Sequence, residues 1–363
     1  MYNRRMYYLI IFSEIILILA ILYFRTLKDS KSRLKAVIIM GIIISLLTVV
    51  CLFVCNDITA AAILMFFGTF LALFELIRKL TRDRINRFIP HIVAALLALI
   101  FFSYSFYVSR HLVITRYEIE LGSDLRIAQI SDTHIGNFFS TDDLKRSVDM
   151  INGSSPDVVV ITGDLVDENT TPEEMKETCR VLGELRSTYG TFYVPGNHDA
   201  YWGLDKGVKD GYQALVSNLE SNNVKVLGDR AYEIGDDYLL LGRLDQSFSK
   251  KTKKRTTMKE IMEKGGYLGT DRKVIVLDHR PVKLKRVSED KDAGVDLMLS
   301  GDTHGGQMFP INVVCKITSG KDDILYGKTK IGDTYFIVSS GASSGVIPFK
   351  NMVPCEVVII DLK

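Results

Sequence analysis

The stretch that decides the fold reads LRIAQISDTH over residues 125–134, VVVITGDLVD over residues 158–167 and TFYVPGNHD over residues 191–199. Each segment begins as a short run of β-branched and apolar residues, which is typical of a buried strand, and ends in Asp, Asn or His. Helical patterns at Leu144–Ile151 and Glu173–Leu185 lie between them, at the spacing of strand–helix–strand units. We therefore predict an α/β fold whose strands end in polar, chemistry-bearing residues.

The rest of the chain continues this pattern. Further strands are predicted at Tyr238–Leu241, Val274–Leu277, Val295–Leu299, Tyr335–Val338 and Glu356–Ile360. The second of them is followed by Asp278-His279-Arg280-Pro281 and the third by Gly301-Asp302-Thr303-His304. Ligands of open α/β sheets bind at the carboxyl ends of the strands, so we expect five strand ends to meet at one crevice.

The residues at these strand ends have the chemistry of metal ligands. The candidates are Asp132, His134, Asp164, Asn197, His279, Asp302 and His304. Imidazole nitrogen with carboxylate and amide oxygen, without thiolate, suits Mn²⁺, Fe or Zn²⁺ in a reactive site rather than a structural zinc. The set is too large for one ion, and it fits two ions that share a carboxylate, clamp a phosphoryl group and convert a bound water into hydroxide. Each motif alone is compatible with a simple turn, but four of the six histidines fall in these motifs.

Taken together, the motifs resemble the calcineurin-like metallophosphoesterase superfamily, in particular its membrane-attached bacterial branch, over about residues 120–363. The resemblance implies a four-layer α/β-β/α sandwich with the metal centre at the strand ends. It implies a first metal held by Asp132, His134, Asp164 and His304, and a second held by the bridging Asp164 with Asn197, His279 and Asp302. It also implies that His198 is the proton donor or transition-state stabiliser and that Asp167 orients it.

One position departs from the family pattern. The last motif usually reads Gly-His-x-His, and this chain has Asp302 where the first His is expected. A carboxylate can still bind a metal and favours harder ions, so we expect two divalent ions, Mn²⁺ first, with Fe, Zn²⁺ or Mg²⁺ as alternatives. The alternative interpretation is that Asp302 leaves the second metal site weak. The chain also lacks Arg-Gly after Asp167, which argues against a Ser/Thr protein phosphatase.

The first 110 residues have a different composition from the rest. The net charge of +2 is the sum of +8 up to Arg110, from 13 basic and 5 acidic residues, and −6 beyond it. Four apolar stretches, at about 6–24, 36–55, 58–77 and 92–109, approach the 20 or so residues that cross a bilayer. We therefore predict a four-helix transmembrane region over 1–110, followed by a metallophosphoesterase domain over 117–363.

The connecting loops predict an orientation. Ten Lys and Arg lie in the loops after the first and third stretches, and three lie on the opposite side. Because basic loops stay in the cytoplasm, we expect a multi-pass cell-membrane protein with both termini and the catalytic domain outside.

These observations predict a membrane-anchored phosphoesterase acting on a phosphorylated substrate, with lipid or envelope components as options. Two alternatives stay open: a non-catalytic metal-binding receptor or partner subunit with a degenerate second metal site, and a transport component that uses Glu14 in the first stretch. We expect no nucleic-acid partner, because the domain is net acidic. The oligomeric state is left open.

Three smaller features have two readings each. Trp202 either covers a bound substrate or packs its loop. The basic residues at 250, 251, 253, 254 and 255 either form an ordinary solvated surface or attract an anionic headgroup. Among Cys179, Cys315 and Cys355, only a Cys315–Cys355 disulfide is expected, if any.

Overall fold

The computed structural model describes a subset of the chain. The described residues are 80, 88–203, 207–208, 210–249, 255–281, 284, 287, 293–309, 311–318, 324–345 and 347–363. The chain divides into two units, and the unit Ser105–Lys363 contains every predicted site residue.

The helices of the described residues are α1 Phe88–Arg110, α2 Thr141–Gly153, α3 Pro172–Leu182, α4 Asn197–Tyr201, α5 Gly211–Ser221, α6 Met258–Gly265 and α7 Ile311–Thr318. Single 3₁₀ turns span Gln246–Ser249 and His304–Gly306. The strands are β1 Leu112–Ile119, β2 Leu125–Ile130, β3 Val158–Ile161, β4 Thr191–Tyr193, β5 Val224–Val226, β6 Arg230–Ile234, β7 Tyr238–Gly242, β8 Lys273–Leu277, β9 Val295–Ser300, β10 Gly327–Ile331, β11 Thr334–Val338 and β12 Cys355–Leu362.

The strands form two six-stranded sheets. The first has the order β1-β12-β2-β3-β4-β5 and the second β10-β11-β9-β8-β7-β6. The strands β2 to β5 are parallel neighbours, and so are β7, β8, β9 and β11. Their carboxyl ends therefore point the same way within each sheet, as the sequence pattern requires.

The inner strands are apolar on both faces, because each lies between two layers. In β2, Ile127 packs between the two sheets, while Ala128 and Ile130 pack against the helices on the outside. In β8, Leu277 faces the inter-sheet core and Val276 packs with residues of α6. Two helical layers enclosing two sheets confirm the predicted four-layer α/β sandwich.

Side-chain caps fix where the helices begin. Ser140 and Asp143 form a reciprocal capping box at the start of α2, and Thr171 and Glu174 form one at the start of α3. Each box satisfies backbone N–H groups that the first helical turn leaves unpaired. The helix predicted as Glu173–Leu185 ends at Leu182, before Gly183.

The predicted four-helix transmembrane region requires a correction. The stretches 6–24, 36–55 and 58–77 lie outside the described residues, and the stretch 92–109 falls on α1. Among the described residues, no helix has the length and apolar content needed to cross a bilayer. The prediction of a multi-pass membrane protein with extracytoplasmic termini is overturned by the same finding.

The end of α1 shows why the apolar stretch was misleading. Its residues from Ser105 onward belong to the same unit as the sandwich. The Ser105 carbonyl accepts the Lys350 N–H at 3.0 Å, and the Ser109 hydroxyl donates to the Pro348 carbonyl at 2.8 Å.

Candidate metal centre

The predicted ligands meet at the carboxyl ends of five strands, drawn from both sheets. Asp132 and His134 follow β2, Asp164 follows β3, Asn197 and His198 follow β4, His279 follows β8, and Asp302 and His304 follow β9. Three groups have ligand atoms within 4.8 Å of one another: Asp132, His134 and His304; His134, Asp164 and His198; Asp132, Asp164 and His279. Asp302 belongs to none of these groups, but its Oδ1 lies 3.4 Å from His279 Nε2.

The backbone at the site is held in an uncommon conformation. Asp132, His134, Asp164, Asp302 and His304 have φ values of 54°, 44°, 51°, 68° and 47°. For residues other than glycine, such left-handed conformations cost on the order of 1–3 kcal/mol each and persist only where the surroundings impose them. Five of them in one cluster therefore point to a functional site.

Two glycines allow the loops to approach. Gly163 has a φ of 87°, and a Cβ on it would lie 2.6 Å from His279 Nδ1. Gly341 has a φ of 83°, and a Cβ there would lie 2.8 Å from the Cβ of Asp132. Any other residue at either position would push ligand-bearing segments apart.

On one side of the centre, Asp132, His134 and His304 surround a buried space. The rings of His134 and His304 stack with their centroids 5.2 Å apart, and His304 Nε2 lies 3.8 Å from Asp132 Oδ1. Burial raises the pKa of Asp132 to about 6. Burial also lowers the pKa of His304 well below its usual value, with the nearby charges of His134 and Lys350 acting in the same direction. A buried carboxylate beside an imidazole that stays neutral offers donor atoms that a divalent cation binds in their deprotonated form.

On the other side, His279 is fixed in one tautomer. Its Nδ1 lies 2.7 Å from the Thr162 carbonyl, so Nδ1 donates to that carbonyl and Nε2 is the atom that faces the centre, where its lone pair would bind a metal. Nε2 faces Asp164 Oδ2 at 3.3 Å. Burial alone would raise the pKa of Asp164, but the positive charges of His279 and His134 outweigh it and lower that pKa.

The chemistry of the donor set fits divalent ions, because several of its buried polar atoms lack a hydrogen-bond partner in the described part of the chain. Within the described residues, His134 Nδ1 and Nε2, Asn197 Oδ1 and His279 Nε2 are buried without a hydrogen-bond partner. Buried polar atoms are nearly always paired. Unpaired nitrogen and oxygen atoms that converge with two buried carboxylates fit divalent ions as the missing partners.

His198 has a different neighbour from the expected one. Its Nδ1 lies 3.2 Å from Glu168 Oε2, whereas Asp167 Oδ2 lies 3.6 Å from His134 Nδ1. Burial disfavours the charged ring, but the hydrogen bond to Glu168 and the charge of Asp164 raise the pKa of His198 to about 9. Glu168 thus makes the hydrogen bond with His198, and the orienting role expected of Asp167 stays a prediction. The only sequence signal for Glu168 is its place directly after the Gly-Asp-x-x-Asp motif.

Asp199 was not singled out by the sequence analysis. It is fully buried, and its carboxylate accepts the backbone N–H groups of Asp164, Leu165, Val166 and Gly196 at 2.8 to 3.1 Å. It thereby ties the loop after β3 to the loop after β4. As the last residue of the Gly-Asn-His-Asp motif, it was visible in the sequence.

The loop after β11 was also missed. Ser343 Oγ donates to the Asp132 carbonyl at 2.9 Å, and the Ser343 carbonyl lies 3.3 Å from His304 Nδ1. The fully buried Lys350 donates from Nζ to the carbonyls of Ser340, Gly341 and Ser343 and so holds this loop. The sequence contained a signal for this loop, because Ser339-Ser340-Gly341 follows a predicted strand in the same way as the other site motifs.

The smaller features can be assigned where the structure describes them. Trp202 is 1% exposed and donates from Nε1 to the Thr170 carbonyl at 3.0 Å, so it packs its loop and does not cover a substrate. Cys315 and Cys355 are free thiols, and the expected disulfide is wrong. Arg255 pairs with Asp278, and the basic residues at 250, 251, 253 and 254 lie outside the described residues.

The chain is similar to several known proteins. Residues 125–306 match the family model described as calcineurin-like phosphoesterase. The chain is 32% identical over 255 residues to an uncharacterized metallophosphoesterase of Helicobacter pylori, covering 68% of this chain and 62% of that protein. It is 29% identical over 277 residues to one of Aquifex aeolicus, covering 74% and 98%.

Among solved structures, the chain is similar to the sulfate thiohydrolase SoxB of Thermus thermophilus, with a TM-score of 0.41 and 11% identity, covering 68% of this chain and 58% of that one. The matches to the first relatives span about three fifths of those relatives' own length.

Proposed function

We infer the function from the premise that this chain belongs to the calcineurin-like phosphoesterase family, and that it is therefore a metal-dependent phosphoesterase. We propose that it hydrolyses phosphate ester or phosphoanhydride bonds at a two-metal centre. The observation that carries the proposal is the convergence of unpaired buried His and Asn atoms with the carboxylates of Asp132 and Asp164.

The residues divide between two ions. Asp132, His134 and His304 would hold one, with Asp164 shared, and the second would lie against Asp164, His279, Asn197 and Asp302. When bound, such ions neutralise phosphoryl oxygens and lower the pKa of a water molecule. The protein's own part is to keep the imidazole lone pairs free and aimed inward, as the hydrogen bond from His279 Nδ1 to the Thr162 carbonyl does.

His198 is proposed to supply a proton to the leaving oxygen. Its pKa is raised to about 9 against its burial, by the hydrogen bond to Glu168 first. The ring is therefore protonated at neutral pH, which is the form that a general acid requires. The backbone N–H of His198 donates to Asp164 Oδ1 at 2.9 Å, so the same residue is tied to the shared carboxylate.

Mn²⁺ is proposed as the metal to test first. Asp302 gives the second site a carboxylate in place of imidazole, and oxygen ligands favour hard ions over Zn²⁺. Fe, Zn²⁺ and Mg²⁺ are the alternatives. The position of Asp302 Oδ1 beside His279 Nε2 supports its use as a ligand.

The test uses p-nitrophenyl phosphate and bis-p-nitrophenyl phosphate with each metal in turn. Asp164→Ala should remove metal and activity together, because this carboxylate is shared by both positions. His198→Ala should retain the metals and lower turnover by roughly 10²- to 10⁴-fold, the usual contribution of a general acid. Normal turnover in either variant would contradict the mechanism. Metal binding without turnover in the wild type would favour the alternative function of a non-catalytic metal-binding receptor or partner subunit.

A further inference from the structure

Arg280 brings a guanidinium to the edge of the metal centre. It directly follows His279 beyond the carboxyl end of β8, and its Nε lies 3.9 Å from Asp302 Oδ1. Its side chain is 31% exposed. No metal-ligand role was assigned to it, since arginine remains protonated.

The Nη2 group of this guanidinium is held in place by two acceptors. Its Nη2 donates to Asp245 Oδ1 at 2.7 Å and to Ser247 Oγ at 2.9 Å. Asp245 is fully buried and is itself held by the Ser247 N–H at 2.8 Å. Because the group is planar and rigid, holding one edge also sets the direction of the other N–H groups.

The neighbouring Nε–H, which lies on the same edge of the guanidinium as Nη2, lacks an acceptor. Arg280 Nε is buried and has no hydrogen-bond partner among the described residues. A buried donor left unpaired is unfavourable, and the distance to Asp302 is too long for a hydrogen bond. An anionic oxygen arriving at the centre would provide the missing acceptor.

Arg243 provides an internal comparison. It follows β7 as Arg280 follows β8, and its Nε is also unpaired. Its Nη1 donates to Asp278 Oδ2 at 2.9 Å and its Nη2 to the Thr256 carbonyl at 3.2 Å. Neither partner is one of the predicted metal ligands. Arg243 is therefore a matched control: an arginine at a strand end, bound to a buried carboxylate, outside the centre.

We propose that Arg280 binds a phosphoryl oxygen of the substrate and that Asp245 is its positioning residue, which makes the preferred substrate a phosphate monoester rather than a diester. This inference rests on the proposed function. A guanidinium N–H forms a strong, charge-assisted hydrogen bond to a phosphate oxygen. A monoester phosphoryl carries nearly two negative charges near neutral pH and a diester carries one, so a fixed cation favours the monoester.

The experiment compares wild type, Arg280→Lys and Arg243→Lys in the full-length chain loaded with Mn²⁺. Lys retains the charge but lacks the planar fork, so Arg280→Lys should weaken the binding of inorganic phosphate, measured by calorimetry, about tenfold. Arg280→Lys should lower kcat/KM for p-nitrophenyl phosphate by a similar factor. It should lower kcat/KM for bis-p-nitrophenyl phosphate by less than about threefold. Arg243→Lys should leave both unchanged, and Mn²⁺ binding should be equal in all three.

A double-mutant cycle tests the positioning role. Asp245→Asn should weaken phosphate binding in the wild type and have little further effect in Arg280→Lys, because it acts through Arg280. If Asp245 only stabilised the fold, its effect would be the same in both backgrounds.

Two outcomes would overturn the proposal. If Arg280 only neutralises Asp302, Arg280→Lys will alter Mn²⁺ affinity and leave phosphate binding unchanged. If it only shapes the site, both esters will lose activity equally. Failure of the proposed function is recognised separately, as absence of hydrolysis in the wild type, and phosphate binding then still decides the role of Arg280.

Discussion

The raised pKa of His198 depends on Glu168. This residue directly follows Asp167, which is the last residue of the Gly-Asp-x-x-Asp motif. Glu168 Oε2 lies 3.2 Å from His198 Nδ1, while Asp167 has His134 as its histidine neighbour at 3.6 Å. Spacing along the chain could not distinguish two adjacent carboxylates, because the turn after β3 decides which of them faces which ring.

This assignment predicts a change in the pH profile. Glu168→Gln removes the negative charge that favours the protonated ring, so the pKa of His198 falls from about 9 towards its ordinary value. The proton donor is then lost at lower pH: kcat at pH 8 falls up to about thirtyfold and kcat at pH 6 changes little. The measurement is a profile of kcat from pH 5.5 to 9.5 with Mn²⁺ saturating.

Glu184→Gln is the control, because Glu184 lies on an exposed surface and pairs with Arg180. Its profile should match the wild type. Superimposable profiles for Glu168→Gln and wild type, at equal Mn²⁺ binding, would rule out Glu168 as the residue that sets the protonation of His198.

At the level of the elements, burial determines what could be predicted. The eight predicted strands all exist, because strands such as β3 and β8 lie between two layers and are apolar on both faces. The strands β1, β5, β6 and β10 were missed. β1 and β10 lie at sheet edges and alternate with charged residues such as Arg116 and Lys330, so they lack a continuous apolar run.

The wrong prediction of a membrane span at residues 92–109 also comes from packing that the sequence pattern does not show. Apolar composition does not reveal whether a helix packs on protein or lies in lipid, and the deciding contacts come from residues more than 230 positions away, as between Ser109 and Pro348. Tertiary contacts of this kind are not visible in a hydropathy pattern.

The inter-sheet core predicts a stability effect. Leu240 of β7 is 1% exposed and packs between the two sheets. Leu240→Ala should lower the free energy of unfolding by about 2–5 kcal/mol, because it removes buried methyl groups and leaves a cavity. Urea denaturation followed by circular dichroism measures the loss. Leu268→Ala, at a 46% exposed position, should cost less than about 0.5 kcal/mol, and equal losses in the two variants would contradict the assigned core.

For the whole molecule, the candidate metal centre lies at a junction between the two sheets. Asp132 and Asp164 follow strands of the first sheet, and His279 and His304 follow strands of the second. Ions bound by both sets would link the sheets at one end of the sandwich, where otherwise unpaired buried atoms lie. Metal binding should therefore be coupled to folding, since the unfolded chain does not hold these ligands together.

The coupling predicts a metal-dependent melting temperature. Mn²⁺ at a hundred times its Kd adds about 2.7 kcal/mol to the free energy of unfolding, which for a domain of this size raises Tm by roughly 5 to 10 °C relative to protein in EDTA. Scanning calorimetry measures the difference, and Asp164→Asn, which weakens the ligand shared by both positions, should reduce it strongly. Arg243→Lys should retain the full shift, because Arg243 pairs with Asp278 outside the ligand set. A Tm that does not respond to Mn²⁺ in the wild type would mean that the converging ligands do not bind a metal in the folded state.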